Sequence, residues 1–114
     1  MKILVCGGRS YNDIDKIESI LGSLIVTSVV HGGCSGADIL SERWAKNKGI
    51  LVHTHPANWE LLGKKAGVIR NQEMIDMHPD LFMCVAFPGG AGTQDMVRRA
   101  KKSGLTVMEV LDKQ

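Results

Sequence analysis

Short apolar bursts alternate with stretches of helical periodicity along the whole chain. Residues 3–6 (ILVC) form a continuous apolar run closed by Gly7-Gly8, the pattern of a buried strand. Asn12 or Asp13 can then cap a helix whose inward stripe is Ile14, Ile17, Leu21, Leu24 and Ile25. Residues 29–31 predict a second strand, ended by Gly32-Gly33. The helix after it buries Ala37, Leu40, Trp44 and Ala45 and stops at Gly49. A third strand over 50–53 leads into a loop, PANW, at 56–59. A helix over 65–77 follows, closed by Pro79, with Arg70, Asn71 and Glu73 on its polar side. Residues 81–87 are the most apolar run and predict a central strand, broken at Pro88-Gly89-Gly90. The last helix turns Met96, Val97 and Ala100 inward and ends at Gly104, ahead of a final strand over 105–110.

Five strands separated by helices call for parallel pairing with right-handed crossovers. The expected fold is α/β, a Rossmann-like three-layer sandwich around a five-stranded parallel sheet. With 114 residues and no linker, repeat or low-complexity segment, residues 1–114 read as a single domain. In such folds the ligand crevice lies beyond the carboxyl ends of the strands, where the strand order reverses. That directs attention to the segments after the first four strands, three of which carry glycine pairs.

Composition narrows the function classes. A hydrophobic fraction of 44% is ordinary for a globular protein, and with so few aromatic residues the core must be aliphatic. A net charge of +2 is too small to argue for duplex nucleic acid or an anionic membrane as partner, but is compatible with a local anionic ligand. The apolar start is too short for a signal peptide, and no apolar run approaches the roughly 20 residues of a spanning helix. Cys6, Cys34 and Cys84 form no CxxC pair, and two of them sit in apolar runs. This pattern points to a reducing compartment, the cytoplasm.

The candidate chemistry lies in the glycine-rich loops. In Gly7-Gly8-Arg9-Ser10, glycine allows close approach of backbone N–H groups and Arg9 offers a fork for phosphate or carboxylate. A plain turn with a solvated Arg explains the same residues equally well. In Gly32-Gly33-Cys34-Ser35-Gly36-Ala37-Asp38, a strand end opens a helix, which favours an anion. Ser35 adds a hydroxyl. Asp38 either complements the helix dipole, holds a ribose hydroxyl or acts on a substrate, and it is the one candidate catalytic residue. The third loop, Pro88-Gly89-Gly90-Ala91-Gly92-Thr93, sets three glycines after a buried strand and a Thr at a helix start, the strongest of the phosphate cradles. Neither GxxxxGK[ST] nor GxGxxG occurs, which disfavours a Walker-type NTPase and a dinucleotide dehydrogenase.

GGRSY near the start, GGCSGAD, PANW at 56–59, GKKAGVIRNQEM at 63–74 and FPGGAGTQDM together resemble the YspA-like branch of the SLOG superfamily, in order over essentially the whole chain. The resemblance implies a Rossmann-like fold and a pocket for a nucleotide or nucleotide-sugar derivative. The superfamily also holds the Lonely Guy phosphoribohydrolases, which release a base from a nucleoside monophosphate, and ligand sensors. Against the Lonely Guy pattern PGGxGTxxE, Gly89, Gly90, Gly92 and Thr93 align with phosphate-binding residues, and Arg70, with Asn71 beside it, falls on an upstream Arg. The catalytic Glu falls on Met96. Cleavage of an N-glycosidic bond develops positive charge on the sugar, which a carboxylate stabilises and a thioether does not. Binding therefore carries over better than catalysis, with Asp38 or Glu73 as substitute carboxylates.

Other signals have plainer readings. His53 and His55 alternate at a strand end and could face one metal, but no third ligand stands at recognisable spacing, so no metal or cofactor is expected. His31 reads as structural and Trp44 as core. Trp59 faces the crevice and either stacks on a base or serves as a lid contact. The basic pairs Lys64-Lys65, Arg98-Arg99 and Lys101-Lys102 read as solvated helix faces, and Cys34 as a turn residue or a reactive thiol. The leading expectation is a module that binds a nucleotide or nucleotide-derived small molecule, sensing or sequestering it. The alternatives are an N-glycosidic hydrolase or transferase acting on a nucleotide, and a partner-binding protein with a vestigial pocket. Self-association as a homodimer or higher homo-oligomer suits a small sheet domain.

Overall fold

A computed structural model describes residues 1–111. The strands are β1 (Lys2–Cys6), β2 (Ser28–His31), β3 (Leu51–Thr54), β4 (Met83–Ala86) and β5 (Thr106–Glu109). They form one sheet in the order β3-β2-β1-β4-β5, with every neighbouring pair parallel. Helices α1 (Ile14–Gly22), α2 (Ala37–Asn47), α3 (Trp59–Leu62), α4 (Ala66–Met77) and α5 (Ala91–Lys102) connect them, with a 3₁₀ turn at Gly63–Lys65 between α3 and α4. The α/β, Rossmann-like reading of the sequence is the observed architecture.

The two faces of the sheet follow from strand alternation. Ile3 and Val5 point to the side covered by α1 and α2, packing with Ile17, Leu21, Trp44 and Ala45. Leu4 and Cys6 point to the other side, packing with Met74 of α4 and with Met96, Val97 and Ala100 of α5. The strand order therefore reverses between β1 and β4, where the chain crosses from one layer of helices to the other. A crevice at the carboxyl ends of these two strands is the geometric consequence.

Several expectations need correction. The middle strand is β1, while β4, the most apolar run, lies one place to its side. Apolar content reports coverage on both faces, and both strands have it. Helix α1 ends at Gly22, so the periodic stripe loses its phase there and Ile25 is 80% exposed; Ile14, in the first turn, is 54% exposed. Only Ile17 and Leu21 of that stripe are fully buried. Asp13 is the residue that caps α1, accepting from the Lys16 N–H at 3.0 Å. The PANW loop ends in a helical turn, because Asn58 caps α3 by accepting from the Leu61 N–H at 3.1 Å. Arg70 and Asn71 are buried rather than on a solvated side of α4, whereas Glu73 is exposed.

Candidate functional site

At the carboxyl edge of the sheet, close packing of backbone comes first. A Cβ on Gly7 would lie 2.5 Å from the Ala37 Cβ and 2.9 Å from the Phe87 Cβ, so this glycine lets α2 and the end of β4 approach β1. The Gly8 N–H donates to the Pro88 carbonyl at 2.9 Å, and the Gly8 carbonyl accepts from the Ala37 N–H at 3.2 Å. Gly36 has φ +79°, a region L side chains rarely adopt, and any Cβ there would run into the Gly8 carbonyl and Arg9. Gly89 is equally confined, against Thr93 and the Gly8 nitrogen. Four of the motif glycines thus join loops to one another.

The second glycine loop turns its donors inward. The N–H groups of Gly32 and Cys34 both donate to Asp38 Oδ2 at 3.2 Å, and the Gly33 N–H donates to His31 Nδ1 at 2.9 Å. His31 is fully buried, and its Nε2 stands 3.0 Å from Glu42 Oε1. With Nδ1 accepting, the ring proton sits on Nε2 and is given to Glu42. The Ser35 hydroxyl donates to the Arg9 carbonyl at 3.1 Å. Asp38 thereby occupies the place at the start of α2 where an anion would otherwise be favoured.

The start of α5 is different. Its N-cap, Gly90, supplies no side-chain cap, and the first turn holds no acidic residue. The N–H groups of a first helical turn have no intrahelical partners. A Cβ on Gly90 or Gly92 would meet nothing within 4 Å, so these two glycines border open space. Asn71 steadies this turn from α4, its Nδ2 donating to the Gly92 carbonyl at 3.3 Å and to Asp95 Oδ2 at 3.0 Å. Burial works to raise the Asp95 carboxyl, but hydrogen bonds from Arg99, Asn71 and Arg98 outweigh it and the group stays below its usual value.

Between these loops lies a cavity of about 410 Å³. Of the residues singled out in the sequence, Gly7, Gly8, Arg9, Gly32, Asp38, Trp59, Arg70, Asn71, Gly90, Gly92 and Thr93 line it. Gly33 and Ser35 line an adjoining groove, Gly36 and Gly89 act in packing, and Ser10 is exposed outside both. Val5, Cys6, Ala91, Cys34, Lys64, Gly67, Val68 and Met74 complete the wall without having been singled out as ligand contacts. The positions of the last four, on α4 and its approach, depend on how that helix lies across the sheet, which no local motif encodes. Met96 is 1% exposed and belongs to the core between α5 and the sheet, not to the cavity wall.

Two buried charged groups face each other's loops here. Arg70 is 9% exposed; its Nη1 donates to the Gly32 carbonyl at 2.7 Å and the His55 carbonyl at 3.3 Å, and its Nε to Asn71 Oδ1 at 3.1 Å. Among the described residues its Nη2 has only the Cys34 sulfur, at 3.9 Å. Asp38 is 5% exposed, and its Oδ1 is buried with no hydrogen-bond partner among the described residues. Burial pushes the Asp38 carboxyl above its usual value, against the opposing pull of the Cys34 N–H, His31, Arg70 and the Gly32 N–H. A buried acceptor without a partner is costly and invites a ligand hydroxyl or amine.

Elsewhere the structure joins His78 to His53 and His55: the Nε2 atoms of His55 and His78 are 2.7 Å apart, and the His53 ring lies 5.0 Å from that of His78. Among the described residues, no group of three or more potential ligands is arranged to hold a metal ion. Arg98 and Arg99 pair with Asp95, and Lys101 with Glu109. Among the same residues, no helix is long and apolar enough to cross a membrane.

Comparison with known proteins agrees with this architecture. Over 124 aligned positions covering 98% of each chain, the protein is 39% identical to the Gene 61 protein of Mycobacterium phage D29. Residues 1–61, from β1 through the short helix α3, match the family model described as YspA, cpYpsA-related SLOG family. That span contains the first two glycine loops, Asp38 and Trp59, and the chain belongs to the YspA, cpYpsA-related SLOG family.

Proposed function

We propose that the protein binds a nucleotide or nucleotide-derived ligand in the cavity between β1 and β4, as a sensing or sequestering module. The observation that carries this reading is that an uncapped helix start and a buried, half-unpartnered carboxylate line the same cavity. Free N–H groups and a helix dipole suit a phosphate at Gly90 to Thr93. Asp38 Oδ1 suits a sugar hydroxyl, and Arg70, which lines the same cavity, offers Nη2 as a further donor. The second glycine loop then acts as the mount for Asp38, with the N–H groups of Gly32, Gly33, Cys34 and Ala37 engaged within the protein, and not as a second phosphate cradle. A cavity of about 410 Å³ falls in the range of small-molecule sites.

A second reading makes the site an N-glycosidic hydrolase or transferase. Asp38 favours it, as a buried carboxylate is what an oxocarbenium-like transition state requires. Met96, in the place of the Glu of related phosphoribohydrolases, is core and contributes no charge. The cytoplasm suits three free cysteines, and self-association would be compatible with the exposed face of α4.

The test is binding of nucleoside monophosphates by calorimetry, with free base measured in parallel, on wild type and Gly90→Val. A Cβ at this position meets nothing within 4 Å, so the fold has room for the substitution and the added bulk faces the open cavity. Binding lost in Gly90→Val with the melting temperature retained supports the cradle; equal binding refutes it. Rapid base release by wild type, abolished in Asp38→Asn, would favour the enzyme.

A further inference from the structure

The cavity does not end at Trp59. An outer groove of about 330 Å³ continues along the sheet edge over β2 and β3, and Arg9, Gly32, Cys34, Trp59 and Arg70 border both compartments. The partition between them is one contact, with the Arg9 Cζ 5.6 Å from the centroid of the Trp59 ring. We propose that the outer groove is a second subsite that takes a planar aromatic base, stacked on Trp59 in the place now held by the Arg9 guanidinium. The inference rests on the nucleotide reading above and adds where the base lies.

The indole is half exposed, at 48%, yet it is held in place. The Asn58 cap fixes the turn that carries it, and the bare backbone of Gly67 leaves room for its edge; a Cβ there would come within 3.2 Å of the ring. A fixed, half-exposed aromatic face is a stacking platform. Arg9 is a replaceable occupant: among the described residues its guanidinium makes no hydrogen bond or ion pair, and it rests over the indole alone. Cation–π contact at an exposed site is weak, so a base can displace it, and the freed guanidinium remains at the boundary to meet the ligand's phosphate. Pro56 and Ala57, just ahead of Trp59 in the chain, add apolar surface to the groove, as a flat ring requires. The phosphate at α5, sugar at Asp38 and base at Trp59 then follow one another along the sheet edge.

The experiment compares AMP with ribose 5-phosphate, which lacks the base, by calorimetry on wild type, Trp59→Phe and Trp59→Leu. Stacking of this kind is worth about tenfold or more in affinity. AMP is expected to bind wild type at least about tenfold more tightly than ribose 5-phosphate. That advantage should be kept in Trp59→Phe and lost in Trp59→Leu, while ribose 5-phosphate binds all three alike. AMP should also change the Trp59 emission in wild type, against the constant background of buried Trp44. Equal binding of the two ligands to wild type, or an undiminished AMP advantage in Trp59→Leu, overturns the subsite and leaves the nucleotide reading standing. Failure of both ligands to bind wild type overturns that reading and the subsite with it.

Discussion

Replacing Asp38 by asparagine separates what the carboxylate costs the fold from what it offers a ligand. The Asp38→Asn variant keeps the shape of the side chain. Its carbonyl oxygen can accept from Gly32 and Cys34 as Oδ2 does now, and its amide nitrogen takes the place of the unpartnered Oδ1. Because the folded-state pKa is raised, chiefly by burial, the attractions around the ionised group do not offset its desolvation. A neutral isostere should therefore stabilise the protein at pH 7, by on the order of 1 kcal/mol or about 4 °C in melting temperature. The sign with pH follows from linkage. A group whose folded pKa lies above its unfolded value costs stability as pH rises through that window, so the advantage of the amide should shrink as pH falls toward 3.8, the usual aspartate value. Ligand affinity should move the other way. A hydroxyl bonded to a carboxylate contributes about 1.5–3 kcal/mol, so AMP binding should weaken roughly tenfold or more. Thermal melts at pH 4 and pH 7, with calorimetry, measure both. A variant less stable than wild type at pH 7, or a gain that persists in acid, refutes the account of burial; unchanged AMP affinity refutes the sugar contact.

Arg70→Met should be costly, since it strips donors from the Gly32 and His55 carbonyls and leaves Asp38 without its cation; a loss of about 2–4 kcal/mol is expected in chemical denaturation. Gly36→Ala should destabilise by about 2 kcal/mol or more, from its positive φ and the clash with Gly8, whereas Gly92→Ala, in open space within α5, should leave stability unchanged or raise it by up to about 1 kcal/mol; paired melts decide it. His55 and His78 both sit below their usual value of 6.5, first because of burial, so the stability they contribute is present above that pH and lost as pH falls through their folded values; His78→Asn should flatten the stability profile below pH 6.5, and an unchanged profile would refute this. Met96→Glu would bury a carboxylate against Leu4, Cys6 and Met74, so it should cost several kcal/mol and yield no base release from a nucleoside monophosphate; a folded, active variant would refute the placement of this side chain.

The layers of the fold were legible because each rests on a local period. The unbroken apolar run Ile3 to Cys6 signals a strand covered on both faces, and the pleat then sends Ile3 and Val5 to one layer of helices and Leu4 and Cys6 to the other. The same logic failed at Ile25, where the periodicity continues past Gly22 but the helix does not. The site was legible at a coarser grain. Glycine-rich strand ends marked the crevice, yet nothing in the letters distinguishes Gly89, wedged against Thr93 and Gly8, from Gly90, whose missing Cβ faces open space. That difference is set by loops distant in sequence.

Asp38 shows why the distinction matters for function. In sequence it is an acidic residue in the first turn of a helix, and complementing the dipole would account for it. In the structure one oxygen instead accepts from the Gly32 and Cys34 N–H groups of the preceding loop, and among the described residues its other oxygen has no partner. A residue needed only to complement the dipole would gain by exposing that second oxygen to water. Here it is held under cover beside Arg70, where the carboxyl is harder to ionise and its contact with a ligand is stronger for the lack of solvent. The protein keeps a costly buried acceptor and an uncapped helix start in the lining of one cavity. Stability alone explains neither feature, and the proposed ligand, carrying both a phosphate and a hydroxyl, would account for both.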